Sequence, residues 1–436
     1  MDRETQIKRT LRIEMYIHLM YNEKDLMKMR WKYVMEHITE LSNFKPVVLD
    51  LFCGAGGLSL GFEMAGYRIG LGIEKEPLPF QTHCYNFGDH CYLGNIREIT
   101  SPKHFIQEYG LEQIDVIIGG PPCQGFSRVG RGKIRSLRMD PTYIHDPRNQ
   151  YYREFIRFVE VLRPFYFVME NVPDMRYYRD GEELLLEKAL ALFRDELGYT
   201  VDTQLLHADH YGVPQTRRRL FLVGNRLGQK INWPKKTHEN DPINVWEAIC
   251  DLPIISHGHR IDEKPYEPRC TLTSYQQLMR EDACNILYNH QTRRHNEQDL
   301  AAFAQMPEGG KYVDLPERFK RYRDDIFKDK YRKLYRNRPS WTIEAHIGKD
   351  TYRYIYPSLN EEPEPPRTIS VREAARLQSF PDRFRFLGPF TKQFYQLGNA
   401  VPPLLAKAVA EAILPGVLVG MEGRTIDTVG LNSKLV

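Results

Sequence analysis

A chain of 436 residues can bury a full core and divide into two domains. With 42% apolar and 27% charged residues it is an ordinary globular protein, and a net charge of +4 excludes reading a nucleic-acid partner from global charge alone. The seven cysteines include no CxxC pair, which excludes a regular disulfide framework and points to a reducing compartment, the cytoplasm. No run is read as approaching the roughly 20 apolar residues of a membrane span. The N-terminus is polar rather than signal-like, so no membrane partner is expected.

Residues 1–45 read as one or two helices ahead of the main fold. From Pro46 to about Gly228, short apolar runs alternate with amphipathic stretches of helical period. The runs are Val47–Phe52, Arg68–Ile73, Ile114–Ile118, Phe165–Met169 and Leu220–Val223. The helical stretches are Leu58–Ala65, Tyr151–Leu162 and Leu184–Glu196. This order predicts a parallel sheet covered on both faces. After Gln229 prolines recur and helical periodicity weakens. Lys311–Arg338 holds eleven Lys/Arg against five Asp/Glu, interleaved with Tyr322, Phe327, Tyr331 and Tyr335. A solvated face would look the same, but phosphate-contacting surfaces need this mixture. Thr391–Leu414 turns apolar and helical again. His83-Cys84 and His90-Cys91 fit no common zinc spacing, so no metal is expected.

Two short segments carry the chemistry. The first run leads into Cys53-Gly54-Ala55-Gly56-Gly57 and then a helix, and Glu74 ends the second run. Glycines at a first strand–helix turn let backbone approach a ligand, and an acid at the second strand end can hold ribose hydroxyls. No Gly-Lys-Ser/Thr follows, and the third dinucleotide-fingerprint position holds Ser59. A ribose-bearing ligand without phosphate, S-adenosylmethionine, fits better than NAD. In the second segment, the run Ile114–Ile118 ends at Gly119-Gly120-Pro121-Pro122-Cys123. Prolines fix φ and set the exit direction, which projects a thiol from the sheet end. A compact buried cysteine is the plain alternative.

The order of motifs closely resembles that of DNA (cytosine-5) methyltransferases of bacterial restriction-modification type, over about residues 46–415. It rests on Asp50–Gly57, Gly120-Pro121-Pro122-Cys123-Gln124, Met169-Glu170-Asn171-Val172, Gln215-Thr216-Arg217-Arg218-Arg219, Arg372–Gln378 and Gly398-Asn399-Ala400-Val401-Pro402-Pro403. The resemblance implies a Rossmann-like S-adenosylmethionine-dependent methyltransferase sheet of α/β class, with a second, smaller target-recognition domain. The implied activity moves a methyl group to ring carbon 5 of a flipped cytosine in double-stranded DNA, leaving S-adenosylhomocysteine. By resemblance Cys123 is the nucleophile and Glu170 the acid at ring nitrogen 3. Arg217 and Arg219, alternating on a strand from Gln215, hold the cytosine carbonyl and orient Glu170, while Arg218 points away. Phe52, Gly54, Gly57, Glu74, Asn95, Ile96, Pro122, Asn399 and Ala400 are assigned to the cofactor. Asn95 stands where the family usually has Asp, and its amide oxygen can still accept the adenine amine's hydrogen bond.

Gln124, Ser127, Arg128, Arg131, Lys133 and Gln215 are the expected DNA contacts. The basic, glycine-spaced segment after Cys123 reads as a loop closing over a flipped base. The expected division is a helical extension at 1–45, a catalytic domain at 46–228, a target-recognition domain at 229–388, and a return segment at 389–436. A monomer is expected, with a cognate restriction endonuclease acting separately. Two rivals stay open: a tRNA-modifying relative, which the missing Cys-Phe-Thr tripeptide disfavours, and a DNA-binding protein on a dead core, which the intact Cys123, Glu170, Arg217 and Arg219 disfavour.

Overall fold

A computed structural model describes residues 45–122, 151–180, 183–267, 271–323, 330–349, 351–357 and 365–432. Val47–Ile413 forms one compact unit, and the terminal segments Met1–Pro46 and Leu414–Val436 form a second. The predicted helices at 1–45 lie outside the described residues, apart from Lys45.

The first unit is built on a seven-stranded sheet. Its strands are β1 (Val47–Leu51), β2 (Arg68–Glu74), β3 (Cys91–Leu93), β4 (Val116–Gly119), β5 (Tyr166–Asn171), β6 (Thr200–His207) and β7 (Arg218–Asn225). Their spatial order is β3-β2-β1-β4-β5-β7-β6. The central strands Val47-Val48-Leu49-Asp50-Leu51 and Val116-Ile117-Ile118-Gly119 are apolar but for Asp50, the composition of strands buried on both faces. β1 to β5 pair in parallel, whereas β7 runs antiparallel to both β5 and β6. The sheet is therefore mixed, which corrects the all-parallel expectation. β3 and β6 were not among the expected runs: β3 has three residues, and β6 is a half-exposed, polar edge strand.

Helices α1 (Gly57–Met64), α2 (Pro77–Phe87), α3 (Pro102–Glu108), α4 (Tyr151–Leu162) and α5 (Leu185–Ala191) accompany this sheet. α4 buries Tyr151, Tyr152, Phe155, Ile156, Phe158 and Val159, the i, i+4, i+7 stripe read from the sequence. Phe155 packs on Phe167 of β5, which stacks on Phe193 at 4.1 Å between ring centroids. Strand order reverses between β1 and β4, because β1 continues to β2 and β3 on one side and β4 to β5 on the other. In such sheets ligands bind outside the carboxyl ends of the strands at the reversal.

Beyond Asn225 the chain forms short helices: α6 (Val245–Ile249), α7 (Ser274–Arg280), α8 (Glu297–Gln305) and α9 (Val371–Leu377). Each opens on a side-chain cap, from Asn244, Thr273, Asn296 and Ser370, and three of these are reciprocal capping boxes with Glu247, Gln276 and Glu373. A second core gathers Ala302, Phe303, Met306, Tyr312, Leu315, Tyr331 and Ile355. Tyr331 is fully buried with its hydroxyl on Asp299, which also accepts from Arg321 at 2.8 Å. That removes Tyr331 from the phosphate-facing role expected of this stretch.

The chain returns through α10 (Phe390–Asn399) and α11 (Pro403–Asn432). Phe390–Arg424 contains a window apolar enough for a membrane span by composition, which corrects the expectation that none exists; half of that window is buried inside the protein. Leu397, Leu405, Ala406 and Ala410 are core residues of the first unit, and Tyr67 donates to the Ala410 carbonyl at 3.0 Å.

Candidate active site

The carboxyl ends of β1, β2, β4 and β5 and the return segment converge at the point of strand reversal. At the end of β1, Phe52 (φ 64°) and Gly54 (φ 56°) take left-handed backbone, and the loop closes with Gly56 N–H donating to the Cys53 carbonyl at 2.9 Å. Nothing lies within 4 Å of where a Cβ on Gly54 would stand, so the loop presents open backbone there. Glu74, ending β2, holds this loop: its carboxylate accepts from Gly54 N–H at 2.9 Å and from Lys75 and Glu76 N–H at 2.8 Å each. Burial pushes its pKa up against the pull of those hydrogen bonds. Lys75 and Glu76 both bond Oε1, whereas Oε2 takes only Gly54 and keeps a second lone pair that can accept a ribose hydroxyl.

Asn95 caps the turn Ile96–Glu98, accepting from Arg97 N–H at 3.2 Å, and Ile96 beside it is buried. The ring of Phe52 meets Tyr151 of α4 edge-on at 5.6 Å. Gly57 has a different reason to be glycine than a ligand. A Cβ there would fall 2.2 Å from the Val401 carbonyl oxygen, so the return segment presses on the helix start. Asn399 is exposed and Ala400 half-buried beside this contact. The stretch predicted to return from far down the chain does reach the cofactor loop.

At the next two strands, Glu170, the last residue but one of β5, has only 9% exposure and pairs with Arg219, Nε to Oε1, at 2.6 Å. Burial pushes the Glu170 carboxyl up, while the nearby charges of Arg219 and Arg217 pull it down. A Cβ on Gly120 would sit 3.1 Å from Glu170 Oε2, so the carboxylate lies against the exit of β4. Asn171 donates to the Pro121 carbonyl at 3.3 Å and holds that exit. Pro121 is buried and Pro122 half-buried. Cys123, Gln124, Ser127, Arg128, Arg131 and Lys133 lie outside the described residues.

The Gln215–Arg219 segment corrects two expectations. It is not one continuous strand: Gln215–Thr216 pairs in parallel with Ser340–Trp341, the chain breaks step at Arg217, and β7 begins at Arg218. Arg217 is fully buried and donates to the backbone carbonyls of Ile343 at 2.8 Å and Gly398 at 2.9 Å. Two of its five N–H groups thus hold the backbone around the return segment, while its buried Nε has no hydrogen-bond partner among the described residues. Arg218 is exposed, as expected. Gln215 is also fully buried and so has no surface to offer DNA. Its amide donates to Gln378 at 2.5 Å and to the Leu377 carbonyl at 3.1 Å, and accepts from Ile343 N–H at 2.9 Å.

Sequence reasoning quoted Gln378 and Asn171 within motifs and gave them no role. Gln378 donates to the carbonyls of Leu397 and Ala400, at 3.1 and 2.7 Å, tying the return segment to Gln215. Ser59, read only as a missing glycine, donates to buried Asp50 at 2.6 Å, and burial lifts that carboxyl to about 7.

The model of the family described as C-5 cytosine-specific DNA methylase matches residues 47–415. The type II methyltransferase M1.HphI of Haemophilus parahaemolyticus is 34% identical over 366 residues, covering 84% of this chain and 86% of its own. M.DdeI of Desulfomicrobium norvegicum is 34% identical over 389 residues, covering 84% and 88%. A solved prophage-encoded E. coli protein, assigned to DNA modification methyltransferases, superposes with TM-score 0.65 at 26% identity, covering 85% of this chain and 99% of that one. The Spodoptera frugiperda DNMT2 structure shares the fold at TM-score 0.51 and 15% identity, covering 86% of this chain and all of its own. With the site at the strand reversal and the match spanning nearly the whole first unit, the chain belongs to the C-5 cytosine-specific DNA methylases and is a DNA (cytosine-5) methyltransferase.

Proposed function

We propose that this enzyme methylates a cytosine within a short double-stranded DNA sequence through a covalent adduct of Cys123, as the modifying half of a restriction-modification system in a bacterial cytoplasm. The pairing of Glu170 with Arg219 against the Gly120-Pro121-Pro122 exit carries this reading. Cys123 is the next residue along that exit, so thiol and acid start from neighbouring strand ends.

Carbon 5 of cytosine is too weak a nucleophile to take a methyl group unaided. The Cys123 thiolate adds to carbon 6, and the electron pair displaced from the 5,6 double bond moves toward nitrogen 3, where Glu170 supplies a proton. Arg219 orients Glu170 and offers its remaining N–H groups to the carbonyl oxygen of the base. Carbon 5, now an enamine carbon, takes the methyl group; loss of its proton to solvent, expulsion of the thiolate from carbon 6 and return of the nitrogen 3 proton to Glu170 then restore the ring.

The loop fits S-adenosylmethionine: Gly54 leaves open space beside its backbone, Glu74 Oε2 keeps an acceptor for the ribose, Phe52 supplies an aromatic ring, and Ile96 is buried next to Asn95. When bound, that cofactor supplies the methyl group. Asn95 and Pro122 would complete the pocket, with Asn399 and Ala400 from the return segment. The domain division is proposed as 46–228 with 389 onward for catalysis and 229–388 for recognition, with DNA between them. A monomer, with its endonuclease as a separate chain, suits this division.

The test is mechanism-based trapping. Bisulfite sequencing of DNA from a methylation-free host expressing the enzyme gives the target, and a duplex with 5-fluorocytosine at that position is then incubated with enzyme and S-adenosylmethionine. A peptide adduct at Cys123 is expected; an adduct elsewhere, or none from active enzyme, would overturn the assignment.

A further inference from the structure

Beneath the cofactor loop lies a second cluster of chemistry-bearing side chains, which methyl transfer does not use. Cys53 follows β1, Cys91 opens β3, and β2 runs between them. Gly72 of β2 is the residue that lets them meet: a Cβ there would lie 3.0 Å from the Cys53 sulfur and 3.2 Å from the Cys91 sulfur. The two sulfurs approach to 3.6 Å across it. His83 of α2 completes the group, with one ring nitrogen and both sulfurs all within 4.8 Å of one another, and all three residues buried. The His83 Nε2 lies 3.3 Å from the Ser59 hydroxyl, which itself donates to Asp50. The other ring nitrogen, Nδ1, is buried and has no partner.

We propose that Cys53, His83 and Cys91 form a binding site for a thiophilic d10 metal ion of the zinc, cadmium or copper(I) class. Two sulfurs each about 2.3 Å from a tetrahedral ion stand about 3.8 Å apart, close to the spacing already present. Both thiols are free, and their 3.6 Å separation is well beyond the ~2 Å of a disulfide bond. Two thiolates and an imidazole are the donor set that selects soft cations. The Ser59–Asp50 chain behind Nε2 is the outer support that orients a ligating histidine. As two sulfur–metal bonds form, the two thiol protons pass to solvent. Spacing in the sequence hid the site, because one residue comes from each of the tandem pairs His83-Cys84 and His90-Cys91 and the third from the glycine loop.

The test is titration of the reduced, metal-free full chain with cadmium, read by thiolate-to-metal charge-transfer absorption and by equilibrium dialysis. One equivalent is expected to bind, with affinity falling at least tenfold in Cys53→Ser, Cys91→Ser and His83→Gln and unchanged in Cys250→Ser and Cys284→Ser. Cadmium should raise the melting temperature of the native protein and leave that of Cys91→Ser unmoved. Circular dichroism verifies folding, and Cys91→Ala replaces any variant that fails it. Absence of the absorption, its persistence in both Cys53→Ser and Cys91→Ser, or its loss only in Cys123→Ser would overturn the proposal.

Discussion

Replacing Glu170 by glutamine separates the chemistry of this carboxyl from its structural part. The side chain keeps its shape, its place at the end of β5 and an acceptor for Arg219 Nε, now 2.6 Å from a carboxylate oxygen. A hydrogen bond to a charged partner contributes about 1.5–3 kcal/mol against about 1 for a neutral pair, so the exchange weakens that contact by about 1 kcal/mol. The same change removes a buried carboxylate, which offsets the loss, so net stability should move by no more than about 1 kcal/mol. Proton transfer at the base is another matter. An amide cannot deliver the proton, and removal of a general acid lowers rates by roughly 10²- to 10⁴-fold, or about 3–5 kcal/mol of barrier. The assay is single-turnover transfer of a tritiated methyl group to unmethylated DNA, beside DNA affinity by fluorescence anisotropy and stability by urea unfolding. A rate loss of at least a hundredfold is expected, with affinity and unfolding midpoint nearly unchanged. A rate within threefold of the native enzyme would refute the reasoning and leave Glu170 a structural partner of Arg219.

Three more outcomes follow from the geometry. Arg217→Met strands the carbonyls of Ile343 and Gly398, each costing about 1–3 kcal/mol when left unpaired, so the urea midpoint should drop together with activity; lost activity at an unchanged midpoint would put Arg217 on the substrate instead. Gly57→Ala drives a methyl group to 2.2 Å from the Val401 carbonyl, so S-adenosylmethionine affinity by calorimetry should fall at least tenfold, and native affinity would show that the return segment does not press on the loop. Burial holds His290 and His295 down at about 4, below their ordinary 6.5. A depressed histidine pKa means the unfolded chain binds the proton first, so stability is complete above pH 6.5 and declines toward pH 4, by about 2 kcal/mol per histidine at pH 5. Urea midpoints between pH 7.5 and 5 measure this, and His290→Gln should flatten the slope; a midpoint indifferent to pH would contradict it.

Much of the site was written in local sequence because its parts are local. Phe52 and Gly54 need their left-handed turn at the end of an apolar strand, Pro121-Pro122 need only the strand before them, and α4 announces itself by the spacing of Tyr151, Phe155, Phe158 and Val159. Neighbours within one segment set those features. Asn244, Thr273 and Ser370 likewise mark helix starts through partners three residues ahead. The burial of Gln215 and the carbonyl contacts of Arg217 were invisible, because their partners lie more than a hundred residues away, at Ile343, Gln378 and Gly398; the antiparallel course of β7 was hidden because an apolar run carries no mark of strand direction. A motif says which side chains are present, whereas a long-range hydrogen bond decides which of them remain free. Identity and the order of the chemistry were therefore determined by the chain alone. That Arg217 reaches the carbonyls of Ile343 and Gly398 while Arg219 reaches Glu170 was decided only when distant segments were folded into the same low-dielectric space.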